Sequence, residues 1–193
     1  MMPASPTSSR TGFTTVELLI VLVMIGLVTA IAVPRINYAR FQVDGGMRAV
    51  AGVLMASQRE AVARQHDVVV GFDAPAGLLR IVYDANNNRM PDGGERVRTV
   101  ALDDHVVIGR GAAAARPFGP GPVSFVRVVD GLPAVTFHRN GSASEAGGVY
   151  LTSARAAAGG ARFAAEARAI EITRATGRPD WFRFDGTAWK RGF

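Results

Sequence analysis

The sequence predicts an α+β fold in which a long N-terminal helix, transmembrane in its first half, packs through its second half on a C-terminal antiparallel β-sheet domain. Three observations predict it. From Phe13 to Val33 every residue is apolar, small or hydroxylated except Glu17. From Val43 to Ala61 apolar residues recur at helical spacing. After Gln65 the pattern changes to short β-type runs punctuated by glycine and proline.

As a helix, the first run spans about 31 Å, the thickness of a bilayer core. A carboxylate inside it costs on the order of 2–3 kcal/mol near the centre and less near an end, so Glu17 marks a function and needs a partner. Ala30-Ile31-Ala32 has the small-x-small form of a signal-peptide cleavage site. An ordinary signal peptide, however, has an apolar region of about 7–15 residues and no use for an acid. Pro34 kinks the helix without ending it. Beyond it Val43, Met47, Val50, Leu54 and Ala61 form one stripe toward a core, with Arg40, Arg48, Arg59, Glu60 and Arg64 on the wet side. The expectation is one bent helix from Phe13 to Arg64, about 78 Å long.

Strands are expected at Val68–Phe72, Leu78–Tyr83, Val97–Leu102, Val106–Gly109, Val123–Val129, Ala134–Phe137, Val149–Thr152, Ala169–Thr173, Phe182–Phe184 and Ala188–Lys190. Asp185-Gly186 turns the last hairpin. Gly111–Pro122 reads as a mobile loop. Ala154–Ala167 reads as a short helix or a loop, and Gly159-Gly160 favours the loop. A long helix followed only by strands requires the sheet to cover the helix's apolar stripe.

The chain has 193 residues and a formal net charge of +6, with a sequence pI near 10.9. Its length suits one globular domain besides the N-terminal segment. Lys190 is the only lysine, so the positive charge is arginine, which suits anionic, bidentate partners. The absence of cysteine excludes lipoprotein anchoring and disulfide stapling.

Gly12-Phe13-Thr14-Thr15-Val16-Glu17-Leu18-Leu19-Ile20-Val21 resembles the class III leader of type IV pilins and type II secretion pseudopilins. The resemblance implies that prepilin peptidase cuts between Gly12 and Phe13 and that the new amino terminus at Phe13 is methylated, giving N-methylphenylalanine. It also implies a pilin-like fold and a role for Glu17 in filament assembly. A buried charge must be paired, and the Glu17 carboxylate of one subunit meeting the Phe13 ammonium of the next would set axial register. The order of helix then strands, and Ala134-Val135-Thr136-Phe137-His138-Arg139-Asn140-Gly141, resemble the minor pseudopilin H (GspH/FimT) branch of that family.

Two further stretches carry candidate binding residues. Asp84, Asn86, Asn88, Met90, Asp92 and Glu95 have the spacing of an EF-hand loop, Met90 through its carbonyl, and would supply hard oxygen ligands to Ca2+. Arg89 stands where that loop wants glycine, and the flanks read as strands; an Asn/Asp/Gly-rich hairpin loop needs no metal. Near the C-terminus Arg174, Arg178, Arg183, Lys190 and Arg191 interleave with Trp181, Phe182 and Trp189, a pattern that offers charge to phosphates and rings to bases. Some FimT-like pilins bind DNA through a C-terminal G-R-x-R motif. Gly177-Arg178 matches its start and Asp180 replaces the second arginine. The alternative is a terminal hairpin with packed tryptophans and solvated arginines.

His66, His105 and His138 show no metal-ligand spacing and read as surface or packing residues. There is no nucleophile elbow and no phosphate loop, so no catalytic residue is assigned, no cofactor besides a possible Ca2+ is expected, and the chain does not read as an enzyme. The division expected is a leader over 1–12, a transmembrane or filament-core helix over 13–34, its continuation as the domain's spine over 35–64, and a β-rich pilin-like domain over 65–193. The expected location is the inner membrane, single-pass, with a periplasmic C-terminal domain that enters a pseudopilus or pilus. The expected partners are prepilin peptidase, the inner membrane and other pilins or pseudopilins. A minor pseudopilin of type II secretion is the leading reading, and a minor type IV pilin capturing DNA for natural transformation is the alternative.

Overall fold

The computed structural model describes residues 12–32, 38–88 and 92–192. The chain divides into two units, one up to Asn37 and one from Tyr38 onward. The first holds helix α1 (Thr15–Ala32). Every large apolar side chain described between Val16 and Val28 is at least half exposed.

No helix among the described residues is long and apolar enough to cross a membrane. Among the described residues helix α1 has 18 residues and reaches about 27 Å, short of the ~20 residues and ~30 Å that a span requires. Thr14, which the apolar run counts as helical, stands outside the helix as its cap, so the helix begins at Thr15. The transmembrane helix expected over 13–34 is thereby corrected, and with it the single-pass inner-membrane location. The expected kink at Pro34 lies outside the described residues, as does the join between the helix halves.

The second unit opens with α2 (Tyr38–Arg64), which buries Val43, Met47, Val50, Leu54 and Ala61, the stripe read from the sequence. Among the described residues ten strands follow: β1 (Asp67–Asp73), β2 (Leu78–Asp84), β3 (Arg96–Ala101), β4 (Val106–Ile108), β5 (Val128–Val129), β6 (Leu132–Phe137), β7 (Gly147–Ser153), β8 (Arg168–Ile172), β9 (Pro179–Phe184) and β10 (Trp189–Arg191). They form two five-stranded sheets, ordered β3-β2-β1-β6-β5 and β10-β9-β8-β7-β4. Every pairing is antiparallel. Helix α2 packs on both sheets. Its apolar stripe joins Val70, Phe72, Leu79 and Ile81 of the first and Leu151, Ile170 and Ile172 of the second in one core. A buried ion pair pins the helix to the second sheet, Arg168 Nε lying 2.5 Å from Asp44 Oδ1.

Three local expectations are corrected. The strand expected over Val123–Val129 reduces to β5 and a single bridge from Val123 to Val149. Between them the Glu145 carboxylate accepts the N–H groups of Val126 (3.1 Å) and Arg127 (3.0 Å), donors that a ladder would otherwise use. The segment Gly111–Pro122 is fastened rather than free. Tyr150 Oη accepts from Arg116 N–H at 2.6 Å and donates to Gly119 O at 2.8 Å. Phe118 packs on the Tyr150 ring, and Arg116 pairs with Glu171. This close cover depends on Gly148, where a Cβ would stand 2.5 Å from Ile170 O and 2.7 Å from the Phe118 ring. Finally, Ala154–Ala167 forms two short helices, α3 (Ala154–Ala158) and a 3-10 helix (Ala161–Glu166), with the glycine pair as the break between them. Ser153 Oγ caps α3 and also donates to the buried Glu166 carboxylate, which pairs with Arg155.

Candidate functional site

The N-terminal phrase folds as a capping box. Thr14 Oγ1 accepts the Glu17 N–H at 3.2 Å, and Glu17 Oε2 accepts the Thr14 N–H at 3.4 Å. This T-x-x-E arrangement is legible in the sequence, and attention to the charge of Glu17 alone overlooks it. It sets the carboxylate at the positive end of the helix, three residues from the Thr14 amide and four from Phe13. Gly12, Phe13 and Glu17 are exposed.

The stretch from Asp84 to Glu95 joins β2 to β3, so its flanks are strands as read. Its polar groups bond mainly to one another. Asn86 Nδ2 and Asn88 Nδ2 both donate to Asp92 Oδ2, at 2.8 and 2.6 Å. Asn88 N–H lies 3.0 Å from both Asp84 Oδ1 and Asn86 Oδ1. The Glu95 carboxylate accepts from Ala85 N–H and Asp92 N–H. Met90 and Arg89 lie outside the described residues. Among the described residues, no group of three or more His, Cys, Asp or Glu side chains is placed to hold a metal.

The C-terminal cations do not form one surface. Lys190 and its cross-strand partner Arg183 share one face, while Arg191, opposite Phe182, points to the other. Asp180 draws Arg191 (2.6 Å) and Arg178 (3.9 Å), and Asp185 draws Lys190 (2.9 Å). Arg174 is exposed in the turn after β8. Trp181 packs against the core, and Trp189 Nε1 donates to Ala114 O at 2.8 Å. Gly177 has a structural reason to be glycine. Its φ is +61°, and a Cβ there would strike the Gly141 carbonyl. The turn Asp185-Gly186 closes the hairpin as expected. The backbone N–H of Ala188, then the Lys190 side-chain ammonium and the Thr187 N–H, donate to the Asp185 carboxyl and hold it well below the usual carboxylate range.

A site that the sequence reading missed lies where β1 starts and β6 ends. The register Val68↔Phe137 sets Asp67 opposite His138, and His138 Nδ1 lies 2.8 Å from Asp67 Oδ2. The Asp67 N–H donates to Asn87 Oδ1 at 2.9 Å. These three residues, with Arg139 and Asn140, line a polar cavity of about 260 Å³. The sequence signal is the strand register alone, since 71 residues separate His138 from Asp67. A second, apolar hollow of about 120 Å³ lies between α2 and β9, lined by Met47, Arg48, Ala51, Met55 and Trp181. Neither His66 nor His105 lines the polar cavity.

Comparison with known proteins adds a family. A family model described as "Type II transport protein GspH" matches residues 46–176, about two thirds of the chain. No curated protein matches. Among solved structures, the minor pseudopilin EpsH from the Type 2 Secretion System of Vibrio cholerae is similar at 11% identity, covering 78% of this chain and 94% of that one. Its TM-score of 0.35 is too low to establish a shared fold.

Proposed function

The chain belongs to the GspH family of type II transport proteins, and from that premise we propose that it is a minor pseudopilin, a non-catalytic subunit of a type II secretion filament. The observation that carries the reading is the match over residues 46–176, which takes in most of α2 and most of the sheet domain. The N-terminal phrase supplies the assembly chemistry. Hydrolysis of the Gly12–Phe13 peptide bond by prepilin peptidase frees an α-ammonium on Phe13, which is then methylated. Helix α1 carries a row of exposed apolar side chains that a lone chain leaves uncovered. Helices of like subunits cover them in the filament. There the Glu17 carboxylate of one subunit pairs with the Phe13 ammonium of the next and fixes the axial step, the best-attested use of a buried ion pair.

The experiment is photocrosslinking in cells from a reactive residue at Leu18, with the attached proteins and the chain's own N-terminus read by mass spectrometry. The reading expects a chain beginning at methylated Phe13 and crosslinks to other pseudopilins. A chain beginning at Val33 with no pilin-like partner refutes it. Crosslinks to type IV pilus subunits transfer the chain to that machine.

A further inference from the structure

The polar cavity at the start of β1 and the end of β6 is lined by two asparagines whose side-chain oxygens are already taken. Asn87 Oδ1 accepts the Asp67 N–H (2.9 Å). Asn140 Oδ1 accepts the Ser142 N–H (3.0 Å) and the Ser142 hydroxyl (2.7 Å). These bonds orient both amides, because a carboxamide has one oxygen and one NH2 group. What each asparagine has left is its Nδ2 donors. His138 is fixed in the same way. Its Nδ1 is committed to Asp67, so Nε2 is the ring atom that remains. Arg139 is exposed and has no hydrogen-bond or ion-pair partner among the described residues. The one acid of the cavity, Asp67, has a side chain nine-tenths buried and engaged by His138. The cavity therefore presents an unpaired guanidinium and two amide NH2 groups, with their own oxygens turned to the protein.

Such a set of donors suits an anion. Size narrows the class, because about 260 Å³ is below the range of about 300–1,000 Å³ that encloses a drug-sized ligand. The planar fork of Arg139 matches a carboxylate in two-point contact. We propose that this cavity binds a carboxylate of a partner polypeptide, an Asp or Glu side chain or a chain terminus, through Arg139, Asn87 and Asn140, with His138 held in place by Asp67. The site is independent of α1 and of the pseudopilin reading, so either stands if the other fails.

The test is a titration of the 15N-labelled full chain in detergent with sodium glutarate, followed through the Asn side-chain NH2 and Arg Nε–H resonances. Sodium phosphate, calcium chloride and sodium chloride serve as comparisons at matched ionic strength. Glutarate is expected to shift the signals of Asn87, Asn140 and Arg139 saturably. Arg139→Gln, at an exposed position, is expected to weaken binding at least about tenfold, since one neutral amide donor replaces the two-point charged contact. Asn140→Asp keeps the acceptor for Ser142 and exchanges the donor for a charge, so it is expected to abolish the response while the backbone spectrum is unchanged. The proposal is overturned if glutarate gives no saturation, if phosphate, calcium or chloride saturates the same signals equally, or if Asn140→Asp binds as the unaltered chain does.

Discussion

Replacing Asp44 with alanine tests how α2 is held to the second sheet. The Arg168 side chain is 2% exposed and Asp44 25% exposed, with Nε and Oδ1 2.5 Å apart. Removing one partner of a buried pair costs about 3–5 kcal/mol, because a charge is left uncompensated. Two features reduce that here. Arg168 Nη1 keeps its bonds to Ala165 O (3.0 Å) and Ala167 O (2.9 Å), and water reaches the Asp44 side. The expected loss is therefore about 2–3 kcal/mol. Asp44→Asn retains an acceptor for Nε–H and is expected to lose about 1 kcal/mol less. The double change Asp44→Ala with Arg168→Met removes both charges and is expected to be less destabilising than Asp44→Ala alone. The assay is urea unfolding of the full chain followed by Trp181, which packs against the core that α2 shares with the second sheet. The slope is expected to stay constant while the midpoint moves. A loss below about 1 kcal/mol for Asp44→Ala, or a double variant as unstable as the two singles summed, refutes the account of an uncompensated buried charge.

Other perturbations are as direct. Gly177→Ala combines a positive φ with a collision against the Gly141 carbonyl and is expected to cost at least about 2 kcal/mol, seen as a lower urea midpoint. Asp185 titrates below its ordinary 3.8 in the folded chain, so its contribution to the last hairpin is complete above that value and is lost as pH falls through the depressed one. Amide exchange at Ala188 reads this directly. Protection should fall on strong acidification in the unaltered chain, and Asp185→Asn should show the weaker protection at every pH. Protection that rises on acidification contradicts the sign. Burial, and then the neighbouring Glu60, raise Tyr83, so its phenol favours folding up to its ordinary value of 10.0 and loses that effect as pH climbs through the raised one. Tyr83→Phe should remove this part of the alkaline loss of stability in urea titrations.

The sheet domain was legible because its strands obey local rules. Val68 to Phe72 and Leu78 to Tyr83 are apolar runs broken by the turn residues Asp73 to Gly77, and β1 and β2 form there, one residue longer at three of the four ends. The stripe Val43 to Ala61 was legible for the same reason, since a 3.6-residue period states which face is buried. What stayed hidden depends on partners far along the chain. The fastening of Gly111–Pro122 needs Tyr150, and the loss of strand at Val126 needs the Glu145 carboxylate. The pairing of His138 with Asp67 follows only once β1 and β6 are known to be neighbours. The misplaced start of the first helix has another cause. Hydropathy counts Phe13 and Thr14 as helical, whereas a hydroxyl followed by an acid three residues on marks where a helix starts.

That starting signal leaves two explanations for Glu17, and one substitution separates them. As a capping residue it needs only an acceptor, which glutamine supplies as well. As the counter-charge to a neighbouring Phe13 ammonium it needs its charge, which glutamine lacks. Glu17→Gln is therefore expected to leave α1 starting at Thr15, with amide protection at Glu17 and Leu18 unchanged, and to abolish the crosslinks from Leu18 to neighbouring subunits. Thr14→Ala is expected to do the reverse. It removes the hydroxyl acceptor, worth about 1 kcal/mol of helix stability, and frays the first turn while keeping the carboxylate. Crosslinks that survive in Glu17→Gln but vanish in Thr14→Ala would mean that the acid serves the helix and not the filament. The long 3.4 Å bond from Thr14 N–H to Glu17 Oε2 favours the opposite result, since a carboxylate so loosely held at its own helix is available to another subunit.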